Sequence, residues 1–470
     1  MQFLPELTLL GAGLFIFMVS LGKTNADTVK KIAIGLGVAV FGATLLSYGQ
    51  NSKLFFNAYQ VDLFSQVFKT LIGGAMLLVL MFGQKLKGIP EKVHPEYYLF
   101  LFMSVLGLMM LVSSVELLSI FVSLELSSFA VYIMVPMRDE TGNFRFQMEA
   151  GIKYLLFGVT ATGFLLFGMS YMYGLTGSTE LSVVIERLSP MWDQPAAVIA
   201  MMMVLAGFFY KLAIFPFHFW VPDVYEGASN ETTAFIASVP KLAAVAMLIR
   251  LVSLIGGEGQ VILNLLIVCA VASMFYGNLS ALIQTDIKRM LGFSGIAHAG
   301  FVLLGILTFQ ITGYANAMYY IIGYVIMNLA CFLVICTVSE NGENLNIKDL
   351  SGLHQRSPIM AFTLAVGLFA LAGIPPFVGF MGKFMLLTGA LKEGYLLVVI
   401  LAAINTAIAI YYYLSVIRVT YCSDREERAA VSPSMMTSAT SVFLLAVIVI
   451  MGVSPQFFVD YAKNVVQSIM

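Results

Sequence analysis

Long apolar runs separated by short polar segments follow one another from one end of the chain to the other. A helix that spans a membrane needs about 20 mostly apolar residues. The runs that meet this requirement are numbered here as predicted spans 1 to 14, and they cover residues 4–21, 30–48, 62–84, 97–113, 115–136, 150–174, 197–219, 232–254, 260–283, 290–308, 313–338, 359–391, 395–420 and 436–453. No strand pattern is visible. The sequence therefore predicts an all-α polytopic membrane protein with about fourteen transmembrane helices.

Two of the predicted spans contain residues that interrupt a helix from within. Span 7 contains Pro216, and span 12, which is too long for one straight crossing, is divided by Gly373-Ile374-Pro375-Pro376. A proline inside a spanning helix frees backbone groups that protein or water must satisfy. Spans 7 and 12 are therefore expected to be broken helices.

The two interrupted segments also resemble each other in sequence. Residues 207–217 (GFFYKLAIFPF) match residues 367–377 (GLFALAGIPPF) at Gly207/Gly367, Phe209/Phe369, Ile214/Ile374, Pro216/Pro376 and Phe217/Phe377. Span 12 is five spans after span 7, so the second copy is expected to be inverted in the membrane. Paired broken helices in inverted repeats are typical of transport pathways at the bilayer midplane. We predict two inverted five-helix repeats, 97–256 and 257–422, between an N-terminal three-helix unit, 1–96, and a C-terminal helix with its tail, 423–470.

Composition supports this class and excludes others. The chain is 60% hydrophobic and 11% charged, whereas soluble domains carry roughly 25% charged residues, and its mean hydropathy is +0.91. A net charge of −1 leaves no basic domain for nucleic acid. The four cysteines, Cys269, Cys331, Cys336 and Cys422, show no metal-ligand spacing. No glycine-rich phosphate loop follows a strand, so no metal and no cofactor are expected in this chain.

The distribution of Lys and Arg between the predicted loops indicates the orientation, because cytoplasmic loops carry an excess of these residues. Loops after odd-numbered spans are the richer set and hold Lys23, Lys30, Lys31, Lys85, Lys87, Lys92, Arg138, Arg145, Lys288, Arg289, Lys348, Arg356, Arg418, Arg425 and Arg428. The opposite side and its helix ends hold Lys53, Lys69, Arg187, Arg250, Lys392 and Lys463. Both termini are therefore expected on the non-cytoplasmic side.

After this assignment four lysines remain, Lys153, Lys211, Lys241 and Lys383, and together with Glu125 in the middle of span 5 they are the main functional candidates. A charged side chain at the centre of a bilayer is expensive and usually functional. A Glu–Lys pair that separates and rejoins would be a proton switch, because burial and a nearby opposite charge act in opposite directions on proton affinity. The alternative is a static ion pair that ties span 5 to span 7. Lys153, at the start of span 6, could instead reach the cytoplasmic surface, and it is kept as a candidate relay.

Two of the four histidines also lie in or beside the predicted spans. His218 follows Pro216 by two residues, and His298 lies in the FSGIAHAGFVLLG stretch of span 10. Histidine titrates near neutral pH, which suits a proton relay, but a lone histidine among small residues can equally hydrogen-bond a backbone group. Both are candidate relays, whereas His94 and His354 are expected to be solvated in loops.

Five stretches of the sequence carry a resemblance to a known family: LELSSFAVYIMV, EAGIKYLLFG, YKLAIFPFHFWVPDVYEGAS…TAFIASVPK, FSGIAHAGF and AGIPPFVGFMGKF. Over roughly residues 100–420 they resemble the subunit N family, one of three antiporter-like membrane subunits of the proton-pumping NADH–quinone oxidoreductase (respiratory complex I). The resemblance implies proton translocation. It also implies that Glu125 pairs with Lys211, and that Lys241 connects this pair to a terminal lysine, Lys383.

The resemblance further implies a place in a larger assembly in the bacterial inner membrane. FMN and iron–sulfur clusters are then expected in partner subunits, the quinone chamber is expected elsewhere, and the partners include two further antiporter-like subunits. The alternative is a subunit of a multi-subunit sodium/proton antiporter, and a third hypothesis is a static scaffold without its own proton path. The LELSS and VPDVYEGA stretches favour the oxidoreductase.

One segment departs from the family pattern. The family usually has a Pro-Thr-Pro-like run after VYEGA, where this chain has Ser229, Asn230 and Glu231. The segment is predicted to lie in a cytoplasmic loop. The departure is therefore expected to change loop contacts rather than the proton path.

Overall fold

The computed structural model describes residues 1–22, 25–82, 86–139, 146–255, 260–422 and 430–469. The helices are α1 (Leu4–Ser20), α2 (Ala26–Leu46), α3 (Leu63–Leu80), α4 (His94–Ser113), α5 (Leu117–Met134), α6 (Phe146–Thr176), α7 (Leu181–Leu188), α8 (Pro195–Leu212), α9 (Trp220–Gly227), α10 (Asn230–Ile255), α11 (Gln260–Ala281), α12 (Ile287–Ile306), α13 (Ile311–Val338), α14 (Leu353–Arg356), α15 (Pro358–Ala372), α16 (Val378–Lys392), α17 (Leu396–Cys422), α18 (Met435–Val453) and α19 (Pro455–Gln467). The strands are β1 (Ser52–Leu54) and β2 (Tyr59–Val61), and short 3-10 helices lie at Glu91–Val93, Val135–Met137, Ser189–Met191 and Ile347–Leu350.

Each predicted span has a helical counterpart in the structure. Within the described residues, 12 helices are long and apolar enough to cross a membrane. The two remaining spans correspond to α1, a shorter apolar helix, and to α15 together with α16. The prediction of an all-α polytopic membrane protein is thus confirmed, with α8 in place of span 7 and two helices in place of span 12.

The structure also contains two short strands that no pattern in the sequence indicates. Strands β1 and β2 form an antiparallel hairpin between α2 and α3, with Ser52 opposite Val61 and Leu54 opposite Tyr59. Each strand has three residues, which is too short to show the alternation of apolar and polar positions by which a strand is detected.

The C-terminal helix α19 also lies outside the predicted spans. Its buried residues, Val459, Ala462, Val465 and Val466, recur at helical spacing on one side. This apolar face packs against α13, while the opposite face is polar, so the helix lacks the continuous apolar run that marks a span. The short helices α7, α9 and α14 were not predicted because each is much shorter than a membrane span.

The centre of the bundle consists of α10, α12 and α13. In their most apolar windows, 100% of α10 and 94% of α12 is buried inside the protein, compared with 33% for α6 and for α17. Polar groups on the central helices must therefore find partners within the protein. The same helices carry Lys241 and His298, which places both candidates at the core rather than against lipid.

The two breaks have the same backbone geometry. The C-cap residues that follow α8 and α15 are Ala213 (φ 63°) and Gly373 (φ 86°), both in the left-handed region that closes many helices. In each break the following isoleucine N–H donates to the phenylalanine carbonyl five residues earlier, at 2.8 Å for Ile214 and 3.0 Å for Ile374. Both breaks then continue through a cis X–Pro bond. The similarity predicted between residues 207–217 and 367–377 is therefore present in the backbone.

Several of the predictions concern residues outside the described part of the chain. These are Lys23, Lys85, Arg145, Arg425 and Arg428, and the domain boundaries at 256–257 and 423. The boundary between 96 and 97 falls inside α4. The orientation of the termini, the division into repeats and their inverted relation remain predictions.

Candidate functional site

The four strongest candidates are buried on four different helices. The exposed fraction is 8% for Glu125 on α5, 3% for Lys211 on α8, 1% for Lys241 on α10 and 4% for Lys383 on α16. Burying a charge is costly unless it is paired or hydrogen-bonded. The partners of each group therefore decide what it can do.

Glu125 and Lys211 interact electrostatically but do not form an ion pair. Glu125 Oε1 accepts a 2.7 Å hydrogen bond from the hydroxyl of Thr162 on α6. Lys211 Nζ donates to the hydroxyls of Ser128 at 3.0 Å and Ser127 at 3.4 Å. In the described part of the chain, no carboxylate oxygen lies within 4.0 Å of Lys211 Nζ. The static pair considered from the sequence is thus absent from this conformation.

Lys211 lies in the last turn of α8, next to the break. The C-terminal end of a helix carries partial negative charge, which favours a cation there. The indole N–H of Trp220 donates to the carbonyl of Tyr210 at 3.0 Å, so one carbonyl freed by the break is satisfied. The end of α8 therefore favours the positive charge of Lys211, and Trp220, which follows the break, satisfies the carbonyl of the preceding residue.

Lys241 lies at the interface of α10 and α13 and has a tyrosine as its partner. Its Nζ donates a 3.1 Å hydrogen bond to the hydroxyl of Tyr324 and lies 4.9 Å from the centre of that ring. A Cβ at Gly295 on α12 would lie 2.9 Å from both the ammonium nitrogen and the hydroxyl. Within the described ranges, no acidic side chain lies within 4.0 Å of Lys241 Nζ, so this lysine is buried without a counterion.

His298 lies beside this pair and binds two further tyrosines. Its Nδ1 is 2.6 Å from the hydroxyl of Tyr320, and its Nε2 is 3.1 Å from the hydroxyl of Tyr413. Its ring centre is 5.1 Å from that of Tyr324. A neutral histidine donates through one ring nitrogen and accepts through the other, and a tyrosine hydroxyl does both. The group is therefore able to pass a proton between neighbours.

Lys383 lies on α16 and reaches back across the second break. Its Nζ donates to the carbonyls of Leu371 at 3.0 Å and Ala372 at 3.2 Å, the last two residues of α15. Its Nζ lies 5.1 Å from the ring centre of Phe301. Gly373 makes this contact possible, because a Cβ there would lie 3.1 Å from Cδ of the lysine.

Tyr320 joins the histidine group to the second broken helix. A Cβ at Gly382 would lie 2.6 Å from the Tyr320 ring, so the ring packs directly on the residue before Lys383. The structure thus brings Lys241, His298 and Lys383 into one region. Lys211 lies apart from this region, at the first break, where Glu125 is the nearby acidic group.

The structure does not connect His218 to this region by hydrogen bonds. His218 is 0% exposed, and neither ring nitrogen has a hydrogen-bond partner among the described residues. Its ring packs against Phe219 at 4.3 Å and Tyr276 at 4.2 Å between centres. The environment is that of an aromatic core residue.

Lys153 lies at the surface in an ionic cluster. Its Nζ is 2.5 Å from Asp223 and 2.7 Å from Glu149, and its side chain is 37% exposed. Arg289 also contacts Asp223, at 3.0 Å. Partial burial acts to raise the pKa of Asp223, but the hydrogen bonds from Lys153 and Arg289 outweigh it and lower that pKa. The cluster joins α6, α9 and α12, and it lies apart from the buried lysines Lys211, Lys241 and Lys383.

Two buried ion pairs were missed by sequence reasoning, which assigned their cations to helix ends. Lys69 Nζ is 2.8 Å from Glu6, and Tyr59 donates to the same carboxylate at 2.6 Å. Arg250 Nη2 is 2.9 Å from Asp62. These pairs connect α1, β2 and α3 to one another and to α10. A signal was available, since both Lys69 and Glu6 fall inside predicted spans.

The tyrosines are the other residues that sequence reasoning did not find. Tyr320, Tyr324 and Tyr413 come from the runs AMYYIIGY and YYYL, whose density of tyrosine within apolar spans was the available signal. The described residues also include no group of three or more His, Cys, Asp or Glu side chains that could hold a metal ion.

Comparison with known proteins places the chain in a family. Residues 114–409 match the family described as NADH:quinone oxidoreductase/Mrp antiporter, TM. NADH-quinone oxidoreductase subunit N 2 of Opitutus terrae is 49% identical over 466 residues, which is 98% of this chain and 97% of that protein. The subunit N 2 of Syntrophobacter fumaroxidans is 40% identical over 470 residues, covering 100% and 98% of the two chains.

Solved structures share the fold. A chain of respiratory complex I from Thermus thermophilus superposes with a TM-score of 0.83 at 27% identity, covering 97% of this chain and 98% of that one. A chain of the Mrp complex from Dietzia superposes with a TM-score of 0.86 at 19% identity, covering 100% and 96%, and at this identity the match shows the fold alone. The full-length relatives and the family match confirm the resemblance that the motifs indicated: this chain belongs to the NADH-quinone oxidoreductase subunit N family of antiporter-like membrane proteins.

Proposed function

We propose that this chain is a proton-translocating membrane subunit of an NADH–quinone oxidoreductase. Protons would move along Glu125, Lys211, Lys241 and Lys383, driven by electron transfer in other subunits. The observation that carries the proposal is that these lysines are buried near two broken helices, and that none of the carboxylates which the structure describes lies within ion-pair distance of them. A membrane-embedded lysine that is not held in an ion pair is free to change its protonation state as its surroundings change.

The first step of the proposed path is a switch between Glu125 and Lys211. Ser127 and Ser128 hold the lysine in the separated state. A movement of α8 toward α5 would bring the two charges together and change the proton affinity of both groups. Because Lys211 lies beside the left-handed residue Ala213, the end of α8 is the element that could carry this movement.

The second step passes through the tyrosine and histidine groups. Lys241 is bonded to Tyr324, and His298 lies between Tyr320 and Tyr413. Hydroxyl and imidazole groups exchange donor and acceptor roles as a proton passes. Lys383, packed next to Tyr320 and bonded to the end of α15, would be the terminal group.

The assembly around the chain follows from the same proposal. FMN and iron–sulfur clusters would reside in partner subunits, and the chain would pack in a membrane arm with two further antiporter-like subunits. The membrane would be the bacterial inner membrane, with both termini on the non-cytoplasmic side. The enzyme activity is then that of the whole complex, and this chain would contribute proton transfer only.

A sodium/proton antiporter subunit is the alternative function. The Mrp complex of Dietzia shares the fold, but the relatives at 49% and 40% identity are named as oxidoreductase subunits, which supports the first proposal. Purification of the native complex separates the two. Isolation with flavin and iron–sulfur subunits supports the oxidoreductase, and a complex without redox centres overturns it.

The direct test is the number of protons taken up per NADH oxidised in membrane vesicles that contain the complex. Lys211→Ala and Glu125→Ala should lower this ratio, because each removes one partner of the switch. A static scaffold predicts an unchanged ratio in both variants. Lys463→Ala, in the solvent-exposed pair with Asp460, is the control and should retain the ratio.

A further inference from the structure

Glu231 is a buried carboxylate that the proposed path does not use. It lies in the first turn of α10 and is 2% exposed. Its Oε1 accepts a 3.3 Å hydrogen bond from the backbone N–H of Lys87. Its Oε2 is buried and has no hydrogen-bond partner among the described residues. A buried carboxylate oxygen without a protein partner calls for an explanation, of which bound water is one.

Cations from several elements surround this carboxylate without forming an ion pair with it. Glu231 interacts electrostatically with Lys30, Lys87, Arg138 and Lys288. The hydrogen bonds of three of these cations go to backbone carbonyls: Lys87 Nζ to Ser339 at 2.6 Å, Lys288 Nζ to Ala228 at 2.8 Å, and Arg138 Nη1 to Glu226 at 2.7 Å. The positive surroundings attract a carboxylate, yet its second oxygen stays open.

Two tyrosine hydroxyls add to the unsatisfied polar groups of this region. Tyr97 and Tyr98 on α4 interact electrostatically with Glu231, and neither hydroxyl has a hydrogen-bond partner in the described ranges. Buried polar atoms that protein does not satisfy are typically satisfied by water. The N-terminal end of α10 is therefore chemically suited to hold water next to the carboxylate of Glu231.

Polar side chains lead from this region toward Lys241 along the interface of α10 and α13. Glu231 lies about 15 Å from Lys241 along the helix axis, given a rise of about 1.5 Å per residue. Between them, Asn328 on α13 donates to the hydroxyl of Ser238 on α10 at 3.4 Å, and its buried Oδ1 has no hydrogen-bond partner in the part of the chain that the structure describes. One turn further along both helices, Lys241 meets Tyr324.

The same region borders the aqueous side that the sequence predicts to be cytoplasmic. Lys87 is half-buried, and Glu91 and Lys92 in the same loop are exposed. The buried carboxylate of Glu231, which is bonded to the backbone of Lys87, therefore lies between this partly exposed loop and the central helices.

We propose that Glu231 is a proton-collecting residue that takes protons from water and supplies Lys241 along the α10–α13 interface, an inference that rests on the proposed function. A proton from water binds Glu231 Oε2 and gives the neutral carboxylic acid. Transfer of that proton through the hydroxyl of Ser238 and intervening water to the neutral amine of Lys241 gives the ammonium and restores the carboxylate. No other bond is made or broken.

The test compares protons taken up per NADH in vesicles that contain the whole complex, normalised to the amount of assembled complex. Glu231→Gln keeps the shape of the side chain and an oxygen for the Lys87 N–H, and it should lower the ratio to the level of Lys241→Ala. Glu231→Asp keeps a carboxylate and should retain most of the ratio. Glu91→Gln, an exposed carboxylate of the same loop, is the matched control and should leave the ratio unchanged.

The outcomes separate the two proposals. A normal ratio in Glu231→Gln together with a lowered ratio in Lys241→Ala overturns the role of Glu231 and leaves the proposed function intact. A normal ratio in Lys241→Ala removes the basis of both. If Glu231→Gln does not assemble, Ser238→Ala takes its place: a lowered ratio supports the route, and an unchanged ratio overturns it.

Discussion

Lys241 donates its ammonium hydrogen bond to the hydroxyl of Tyr324, although the two residues are 83 positions apart in the chain. The contact lies where α10 and α13, two of the most buried helices, pack against each other. A hydroxyl in place of a carboxylate leaves the lysine hydrogen-bonded but not neutralised. Substitutions at this contact and at its neighbours should show what each contributes to proton transfer and stability.

Removal of the Tyr324 hydroxyl should slow proton transfer while the fold is retained. Tyr324→Phe leaves Lys241 without its acceptor, and loss of a positioned proton-transfer group costs about 100-fold or more in the step it serves. The proton flux per assembled complex, measured in vesicles, should fall clearly.

The matched control is Tyr319→Phe on the same helix. That hydroxyl donates to the carbonyl of Met451 at 2.6 Å and lies outside the lysine region. Tyr319→Phe should lower the free energy of unfolding by about 1 kcal/mol and leave the proton flux per assembled complex unchanged. Equal flux losses in both variants would contradict the role of Tyr324.

Gly295→Ala should disrupt the same contact from the side of α12. The new methyl group would lie 2.9 Å from both Lys241 Nζ and Tyr324 Oη, so one of them must move. Overpacking of this kind costs about 1–3 kcal/mol, and a thermal melt of the purified protein together with proton flux should both report it. Gly163→Ala on α6, where no atom lies within 4 Å, should leave both measurements essentially unchanged.

The buried pair of Glu6 and Lys69 should be costly to break one side at a time. Lys69→Met leaves the Glu6 carboxylate buried without its cation, which typically costs about 3–5 kcal/mol. The double variant Glu6→Leu/Lys69→Met should recover much of this loss in a denaturation experiment, because no unpaired charge remains. Lys463→Ala, in the solvent-exposed pair with Asp460, is the control and should show no measurable change.

The ionic cluster at Asp223 should stabilise the protein independently of pH across the neutral range. The pKa of Asp223 is lowered from its usual 3.8 by Lys153 and Arg289, so its contribution is present above that value and is lost as the pH falls through the lower, folded-state pKa. The difference in melting temperature between the native protein and Asp223→Asn should therefore be constant from pH 8 to pH 5. Asp193→Asn, an exposed position, should show no difference, and a variation within this range would contradict the assignment.

Much of the fold was predictable because bilayer insertion depends on local composition. Each apolar run contains its own signal, and prolines such as Pro216 and Pro376 mark the breaks without reference to any other part of the chain. The β1–β2 hairpin and the amphipathic helix α19 were not found, because three-residue strands and a one-sided apolar face leave no such run.

The candidate lysines were predictable from their apolar sequence context, but that context did not show where each side chain lies in the fold. Lys211, Lys241 and Lys383 stand out because a lysine in an apolar run is rare, and the structure buries all three. Lys153 stood out by the same criterion, yet the structure places it in a surface cluster, since its position at the end of a helix allows its long side chain to reach the surface.

The sequence by itself determined which segments are apolar enough to cross the membrane, where two helices break, and that Glu125, Lys211, Lys241 and Lys383 are buried charges. Tertiary structure alone decided the partners: two serines for Lys211, a threonine for Glu125, a tyrosine for Lys241, and no partner among the described residues for one carboxylate oxygen of Glu231. The reason is physical. The free energy of inserting a helix into the bilayer is a sum over the residues of that one segment. A hydrogen bond between helices depends instead on their relative position to within a few tenths of an ångström.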